Sequence, residues 1–313
     1  MNTADSNFDL ETISLKDDYE GKVIATLIKS KSNTGNRKSV LYIHGFVDYF
    51  FHPHVAQKFN DNGFDFYALD LRKYGHSLLP HQHACYCKSL DEYSEEISYS
   101  IKKINTTSGQ KVLLFGHSTG GLIVSRYAND GADKNLISGL ILNSPFLDMN
   151  TSKIELDGLK FVNKWFGKIL PPYAVAQKHM PAAYVKSIHK NYNGEWDFNL
   201  DWKPVLGFPA YFIWLDTIIK NQELLKTKSN ISVPILLMHS STSFLPKKNS
   251  TGVDVADIIL NVEHMKQIGP KLGSKVTLVE VKDAIHDIFL SKEKVRNFAF
   301  DKMIEWLRLQ AFK

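Results

Sequence analysis

The stretch that decides the fold is LLFGHSTGGL, residues 113–122. An apolar run of strand length ends in the polar triplet His117, Ser118 and Thr119, which has glycine on both sides. The pattern G-x-S-x-G, followed by a helical segment, is typical of a serine on a sharp turn between a buried strand and a helix. The sequence therefore predicts an exposed serine hydroxyl at a helix N-terminus, where backbone N–H groups favour a developing negative charge.

Apolar runs of strand length recur along the chain with helical patterns between them. This alternation predicts the α/β class, with a mostly parallel, doubly wound sheet covered by helices on both faces. Two looser segments near the start, Asp9 to Leu15 and Lys22 to Ile28, are predicted as antiparallel edge strands. The predicted inner strands are Val40 to Ile43, Phe64 to Leu71, Val112 to Phe115, Ile137 to Asn143, Ile235 to His239 and Val276 to Val281.

The alternation of strand and helix patterns stops between Pro145 and Val233. Strand signals disappear in this segment, which contains four of the five tryptophans. We predict a core formed by residues 1–146 and 232–313, with residues 147–231 inserted as an aromatic-rich helical cap. The helically spaced residues from Leu159 to Ile169 either pack on the core or line an apolar pocket. Trp165 and Trp214 are the candidate substrate contacts of this cap. Insertion into a membrane surface is a weaker alternative, so any membrane contact would be peripheral.

Composition excludes several classes of protein. The 313 residues are 43% hydrophobic and 23% charged, as in ordinary soluble proteins. The net charge of +5 comes without a block of basic residues, which gives nucleic acid little support as a partner. No signal-peptide pattern and no run of 18 apolar residues is present, so we expect a soluble cytoplasmic protein. Cys85 and Cys87 are too close in sequence for normal disulfide geometry and are expected to be free thiols.

A serine hydroxyl is a weak nucleophile unless a base removes its proton and a carboxylate orients that base. Of the twelve histidines, His286 stands in the loop after the predicted strand Val276 to Val281 and before the terminal helix. That is the position where this fold class places the catalytic base.

The acid is harder to place, because the predicted strand in VPILLMHSSTSF, residues 233–244, is followed by no carboxylate. If residues 240 to about 253 form a loop insertion, Asp257 returns to the strand end and becomes the candidate acid. Asp254 is the rival candidate. Asp283 and Asp287 are less favoured because they adjoin His286 in sequence.

The loop after the first parallel strand, in LYIHGFVDYF, is expected to complete an oxyanion hole. We predict that its donors are the backbone N–H groups of Phe46 and Thr119. Gly45 allows the backbone to approach a substrate closely. His44, Gly45 and His117 are further candidates for substrate contact.

On these motifs the chain resembles the α/β-hydrolase superfamily, and within it the monoglyceride lipase, lysophospholipase and serine aminopeptidase-like group. The matching segments are His44 to Phe46, LDLRKYGHS (69–77), GHSTGG (116–121), NSPF (143–146) and IHD (285–287). The resemblance implies ester hydrolysis through an acyl-enzyme, without a cofactor, under a mobile cap. Two features depart from the group: Lys73 stands where glycine is usual, and the acid lies beyond a long loop.

The expected function is a serine hydrolase of small-molecule carboxylic esters. The aromatic insertion favours an apolar acyl chain, as in monoacylglycerols or lysophospholipids, although a small hydrophobic ester or a thioester would fit equally. A serine peptidase of the aminopeptidase type would need an acidic group in the cap, for which Glu155, Glu195 and Asp197 are available. A ligand-binding homologue that has lost turnover is the alternative from a different class.

Three other groups of polar residues invite a functional interpretation. The spacing of His and Cys in HQHACYC, residues 81–87, does not match zinc sites, so no metal is expected. His52 and His54 lie near the oxyanion loop and are either surface histidines or substrate contacts. Asp70 and Arg72 are predicted to brace the loop after their strand through a local ion pair.

Overall fold

The fold is built on an eight-stranded, mostly parallel sheet, seen in a computed structural model that describes residues 8–32, 38–149, 158, 174–176, 181–246 and 251–310. Its strands are β1 (Asp9–Ser14), β2 (Ile24–Ser30), β3 (Lys38–Ile43), β4 (Phe64–Asp70), β5 (Val112–His117), β6 (Ile137–Asn143), β9 (Ile235–Ser240) and β10 (Val276–Val281). The strand order is β1-β2-β4-β3-β5-β6-β9-β10, and within this sheet only the β1–β2 and β2–β4 pairs are antiparallel. The prediction of a doubly wound α/β fold with two antiparallel strands at one edge is therefore confirmed.

Helices cover both faces of the sheet, which explains why the central strands are apolar on both sides. The described helices are α1 (Pro53–Asp61), α2 (Ser94–Ser108), α3 (Thr119–Asp130), α4 (Ala182–Ile188), α5 (Phe212–Lys228), α6 (Val262–Ile268) and α7 (Glu293–Gln310). On one face, α2 and α3 contribute Ile97, Ile101 and Leu122 to a core cluster with β3 and β5. On the other face, α1 and α7 contribute Phe59 and Met303.

The region predicted as a cap contains α4 and α5, together with a pairing that the sequence analysis did not predict. The short strands β7 (Ala174–Ala176) and β8 (Ala210–Tyr211) form an antiparallel pair, so the insertion is not purely helical. Two-residue and three-residue strands carry too little alternation to be recognised from sequence. The predicted helix from Leu159 to Ile169, with Trp165, lies outside the described residues.

The predicted ion pair between Asp70 and Arg72 is wrong. Arg72 instead binds the buried Glu96 carboxylate, with Nη2–Oε2 and Nε–Oε1 distances of 2.6 and 3.0 Å. Asp70 accepts hydrogen bonds from the backbone N–H of Phe50 at 2.9 Å and from the ring of His76 at 2.8 Å. Asp70 ends a strand while Arg72 lies in the loop beyond it, and each finds its partner in a different element.

Lys73 occupies its unusual position with left-handed backbone, at φ 66°. Its side chain is completely buried, and its Nζ lies 2.7 Å from Asp18 and 2.6 Å from Glu20. The centroid of the Tyr19 ring lies 4.2 Å from Lys73 Nζ. Lys73 thus connects the loop after β4 to the loop between β1 and β2.

Candidate active site

Ser118 stands at a sharp turn between β5 and α3. Its φ and ψ of 53° and −118° are strained for a residue other than glycine, and strain of this kind concentrates at functional sites. The backbone of α3 passes so close to β5 that a Cβ on Gly116 would lie 2.5 Å from the carbonyl oxygen of Gly120. The Ser118 N–H donates to the carbonyl of Asn143 at 3.0 Å, which fixes the turn against β6.

The structure brings Ser118, His286 and Asp257 together. Ser118 Oγ lies 3.0 Å from His286 Nε2, and His286 Nδ1 lies 2.8 Å from Asp257 Oδ2. His286 is 3% exposed and Asp257 is fully buried. Because a carboxylate can only accept, the Nδ1 proton of His286 points to Asp257 and leaves Nε2 to accept from the serine hydroxyl.

Asp257 reaches this position because the chain returns to the end of β9 after the loop. It forms a parallel bridge with Ser243, and its N–H donates to the Thr242 carbonyl at 3.0 Å. Its Oδ1 accepts from the backbone N–H groups of Ile259 and Leu260, both at 2.8 Å. The carboxylate is therefore held on one side by the backbone and on the other by His286.

The other candidate acids lie elsewhere. Asp254 is 49% exposed and pairs with Lys292, with an Oδ2–Nζ distance of 2.5 Å. Asp283 is exposed, at φ 59° in the turn after β10. Asp287 is buried but binds His52 and Asn143.

A pocket of about 260 Å³ opens beside Ser118. Its apolar side chains come from the loops after β3, β6 and β9, from α4 with the residue before it, and from α5. The described residues that line it are Gly45, Phe46, Asp48, His117, Ser118, Thr119, Phe146, Met149, Pro181, Tyr184, Lys203, Trp214, Leu245, Ile258, Ile259, Leu260 and His286.

The residues predicted for the oxyanion hole lie in this lining. Gly45 lies so close to Ser118 that a Cβ on Gly45 would be 3.1 Å from Ser118 Cβ. Phe46 follows it and packs on Trp214, with ring centroids 4.0 Å apart. Thr119 is the first residue of α3, so its N–H has no acceptor one turn earlier in the helix.

Of the remaining predicted contacts, His117 and Trp214 line the pocket, whereas His44 does not. His44 Nε2 accepts from the Leu71 N–H at 3.1 Å, and its Nδ1 lies 2.8 Å from the Gly45 carbonyl oxygen. Both ring nitrogens are thus used to hold backbone beneath the pocket. Trp165 lies outside the described residues.

A second buried histidine–carboxylate pair, which the sequence analysis missed, lies behind the first. Asp287 Oδ2 is 2.9 Å from His52 Nε2, and Asp287 Oδ1 accepts from Asn143 Nδ2 at 2.8 Å. Burial raises the pKa of Asp287, but His117, His52 and Asn143 outweigh it and hold that pKa well below its usual range. Burial lowers the pKa of His117 to about 4, so this ring is neutral at pH 7. The sequence analysis named His52 and Asp287 separately, and no pattern in the sequence links the two.

The pocket also contains a buried ion pair that the sequence analysis missed. Lys203 Nζ lies 2.7 Å from Asp48 Oδ1, and the two side chains are 3% and 2% exposed. Burial raises the pKa of Asp48, but Lys203 and nearby histidines outweigh it and lower that pKa below its ordinary value. The two residues are 155 positions apart, and no pattern in the sequence links them.

The residues of HQHACYC do not converge. His81 Nε2 lies 3.2 Å from the Lys22 carbonyl oxygen, and His83 Nδ1 lies 2.5 Å from Glu20. Cys85 and Cys87 are buried free thiols, and burial raises the pKa of Cys87 to about 12. Within the described residues, no group of three or more His, Cys, Asp or Glu side chains could hold a metal ion.

His52 is buried and is therefore not a surface histidine, whereas His54 is partly buried. His52 is 1% exposed and is held by Asp287, and His54 Nε2 lies 2.9 Å from the Phe289 carbonyl oxygen. His54 also stacks on Trp196, with centroids 4.3 Å apart. Neither lines the pocket among its described walls.

Comparison with known proteins identifies relatives along most of the chain. The family model described as "Serine aminopeptidase, S33" matches residues 34–293. A Schizosaccharomyces pombe protein named "Putative monoglyceride lipase" is 28% identical over 111 residues, which are 34% of this chain and 29% of that relative. The alignment therefore spans less than a third of the relative's length.

Solved structures share the fold. The monoacylglycerol lipase of Paleococcus ferrophilus superposes with a TM-score of 0.67 at 23% identity, covering 91% of this chain and 99% of the other. A soluble variant of the Saccharomyces cerevisiae monoglyceride lipase, in complex with a substrate analog, gives 0.68 at 18% identity, covering 95% and 94%. In the described part of the chain, every helix is too short or too polar to cross a membrane.

Proposed function

We propose that this chain, which belongs to the serine aminopeptidase S33 family of α/β-hydrolases, is a serine hydrolase that cleaves carboxylic esters through an acyl-enzyme. The observation that carries the proposal is the unbroken chain of hydrogen bonds from Ser118 through His286 to Asp257 at the wall of a pocket. In this proposal Ser118 is the nucleophile, His286 the general base and acid, and Asp257 the residue that orients His286.

The reaction follows from this geometry. Ser118 Oγ attacks the ester carbonyl while its proton passes to His286 Nε2, and the negative charge moves to the carbonyl oxygen. The N–H groups of Phe46 and Thr119 stabilise that oxyanion, each donor contributing about 3 kcal/mol in comparable enzymes. The ester C–O bond then breaks as His286 returns the proton to the leaving alcohol. Water repeats the sequence on the acyl-enzyme and releases the carboxylic acid.

The lining of the pocket supports an apolar acyl chain. Side chains of Phe146, Met149, Trp214, Ile259 and Leu260 form a largely hydrophobic wall beside Ser118. The relatives named as monoglyceride or monoacylglycerol lipases support the same reading. Monoacylglycerols and lysophospholipids are therefore the leading substrate classes.

The alternative of an aminopeptidase-type activity needs a carboxylate that holds the substrate amine. Glu195 binds Arg296 and Asp197 binds Lys190, both on the surface, while Glu155 lies outside the described residues. Asp48 is the only carboxylate among the described lining residues, and Lys203 already neutralises it. This arrangement favours an ester over a substrate with a free amine.

Labelling by a fluorophosphonate probe tests the nucleophile. The wild-type protein should be labelled stoichiometrically, whereas Ser118→Ala should give no labelling and lose about 10⁶-fold in kcat on esters. Circular dichroism checks that the variant is folded. If the wild-type protein is not labelled, the chain belongs to the class of ligand-binding homologues without turnover.

A substrate panel tests the reaction class. A chain-length series of p-nitrophenyl esters is compared with aminoacyl anilides on the wild-type protein and Ser118→Ala. We expect hydrolysis of the esters, with kcat/KM rising with acyl length, and none of the anilides. Faster cleavage of the anilides would overturn the assignment as an esterase.

A further inference from the structure

The contact between Ser118 and His286 joins two segments that are far apart in the chain. Ser118 lies on the serine turn (residues 116–120) between β5 and α3, and His286 lies 168 positions later, on the histidine loop (residues 282–292) after β10. β5 and β10 are not neighbours in the sheet, because β6 and β9 lie between them. The 3.0 Å distance between Ser118 Oγ and His286 Nε2 therefore depends on contacts that fix the turn and the loop relative to each other.

Asn143 lies between the two segments, at the carboxyl end of β6. β6 is next to β5 in the sheet, and Asn143 is paired in register with His117. Asn143 is 1% exposed, and the last five residues of its strand are all buried. A buried amide group costs free energy unless its hydrogen bonds are made. The hydrogen-bond partners of Asn143 thus indicate what this amide does.

The backbone carbonyl of Asn143 holds the serine turn. Its oxygen accepts from the Ser118 N–H at 3.0 Å and lies 3.1 Å from His117 Nδ1. Because a carbonyl oxygen can only accept, His117 Nδ1 carries the proton in this contact, and the two bonds use both lone pairs of the oxygen. Ser118 through its backbone and His117 through its ring are therefore both fixed to the end of β6.

The side-chain amide of Asn143 holds the histidine loop. Its NH₂ group donates to Asp287 Oδ1 at 2.8 Å, and its Oδ1 accepts from the Ile288 N–H at 3.3 Å. The opposite orientation of the amide would place its oxygen against the carboxylate and its NH₂ group against the N–H. The two partners directly follow His286 in the chain, so the amide fixes the backbone next to the imidazole.

Other hydrogen bonds of the histidine loop lead to different parts of the molecule. The Ser240 hydroxyl, at the end of β9, donates to the Ala284 carbonyl at 2.6 Å, and the Trp196 indole donates to the Leu290 carbonyl at 2.8 Å. These bonds hold the loop to β9 and to the region predicted as a cap. Asn143 instead holds the loop to the strand end that also binds the serine turn.

On the basis of the proposed function, we propose that Asn143 is a positioning residue that sets the distance between Ser118 and His286. Its carbonyl holds the serine turn and its amide holds the histidine loop, so the two segments share one support. Asn143 does not line the described pocket, so it acts through Ser118 and His286 and not on the substrate. Proton transfer needs a short distance, and a misplacement of about 1 Å can cost about 100-fold in rate.

Asn143→Leu tests this role, because leucine has a similar size and its side chain forms no hydrogen bonds. The backbone bonds to Ser118 and His117 remain, whereas the side-chain bonds to Asp287 and Ile288 are lost. We expect kcat on a p-nitrophenyl ester, expressed per active molecule, to fall by about 10-fold to 100-fold. KM should stay within about threefold of wild type, because the pocket lining is unchanged.

The time course of fluorophosphonate labelling separates positioning from stability. A positioning role predicts that every molecule of Asn143→Leu is eventually labelled, as in wild type, but with a rate constant lowered in parallel with kcat. A structural role alone predicts that fewer molecules are labelled and that these react with the wild-type rate constant. The unfolded fraction then does not react, while the folded fraction reacts normally.

The matched control is Asn60→Leu, the same substitution at another buried asparagine. Asn60 is 8% exposed, and its Nδ2 atom donates to the carbonyl oxygens of Ser30 and Phe64 at 3.2 and 2.9 Å. Phe64 begins β4, so Asn60 lies at the opposite end of the parallel strands from Ser118. The control should lower the thermal midpoint but retain the wild-type kcat and labelling rate constant per active molecule.

The outcomes separate this inference from the proposed function. If the wild-type protein is not labelled and hydrolyses no ester, the proposed function fails. If Asn143→Leu keeps the wild-type rate constant per labelled molecule, if only its KM changes, or if Asn60→Leu is slowed equally, only the positioning role fails.

Asn143→Ala replaces Asn143→Leu in the same measurements if the leucine variant does not fold. Alanine leaves room for water to bind Asp287 and the Ile288 N–H, so the fold tolerates this change more easily. A loss in kcat per active molecule of at least about fivefold supports the positioning role, and a smaller loss overturns it. If neither variant folds, Asn143 maintains the fold as a whole, and the positioning role fails.

Discussion

Two buried histidine–carboxylate pairs lie side by side at the carboxyl edge of the sheet, and they differ in what the second ring nitrogen meets. His286 binds Asp257 at 2.8 Å and His52 binds Asp287 at 2.9 Å. The other nitrogen of His286 faces the Ser118 hydroxyl at 3.0 Å, whereas that of His52 accepts from the Phe51 N–H at 3.4 Å. Of the two pairs, only His286–Asp257 reaches a serine hydroxyl, which is the nucleophile in the proposed function.

The sharpest test of this difference is Asp257→Asn. The carbonyl oxygen of the introduced amide would keep the backbone N–H bonds of Ile259 and Leu260, so its NH₂ group would face His286 Nδ1. That NH₂ group donates, which forces the ring proton onto Nε2 and removes the acceptor for the Ser118 proton. We expect a loss of about 10⁴-fold in kcat, as in the equivalent change in a serine protease. Steady-state kinetics on a p-nitrophenyl ester measures it.

The thermal midpoint of Asp257→Asn serves as the control, because a misfolded variant would also lose activity. A cooperative transition together with a loss below about 100-fold would contradict the role of Asp257 as the orienting carboxylate.

Asp287→Asn should act mainly on stability. The carboxylate binds His52 and Asn143, both buried, and it makes no contact with Ser118. Replacing the carboxylate by an amide places an NH₂ donor against the N–H at His52 Nε2. It also removes a charge-assisted hydrogen bond, so the free energy of unfolding should fall by about 2 kcal/mol. The loss in kcat should be far smaller than that of Asp257→Asn. Urea denaturation and steady-state kinetics on the same sample separate the two effects.

The pH dependence of the same variant gives an independent check. The pKa of Asp287 is lowered in the folded protein from an ordinary value of 3.8, so its ionised form stabilises the fold. This contribution is complete above that ordinary value and is lost as pH falls toward the lower folded pKa. The stability advantage of wild type over Asp287→Asn should thus be constant above about pH 5 and shrink below about pH 4. A constant advantage down to about pH 2.5 would show that charge is not its source.

The sequence was most informative where a feature is local or strictly ordered. The G-x-S-x-G turn and the alternation of strands and helices depend on nearby residues, and β5, α3 and the edge strands form where predicted. Asp257 could be proposed because hydrolases of this fold place their acid after the strand equivalent to β9. The residues directly after β9 include no carboxylate, so the acid had to come from farther along the chain. The Asp48–Lys203 and Arg72–Glu96 pairs could not be foreseen. The two members of each pair lie on separate elements. The sequence contains many other carboxylates that could pair with Lys203 or Arg72.

The smallest effect is expected for Asp254→Asn, the same substitution three residues before Asp257. The Asp254 carboxylate is 49% exposed and pairs with Lys292, which is 64% exposed. Exposed pairs of this kind contribute at most about 1 kcal/mol to stability, and neither residue lines the described pocket. Its kcat/KM should stay within about twofold of wild type, a change that matches a shift of less than about 0.5 kcal/mol. If Asp254→Asn abolished ester hydrolysis while Asp257→Asn did not, the loop after β9 would have to place its other carboxylate against His286 during turnover, and the contrast between the two histidine–carboxylate pairs would then rest on the wrong acid.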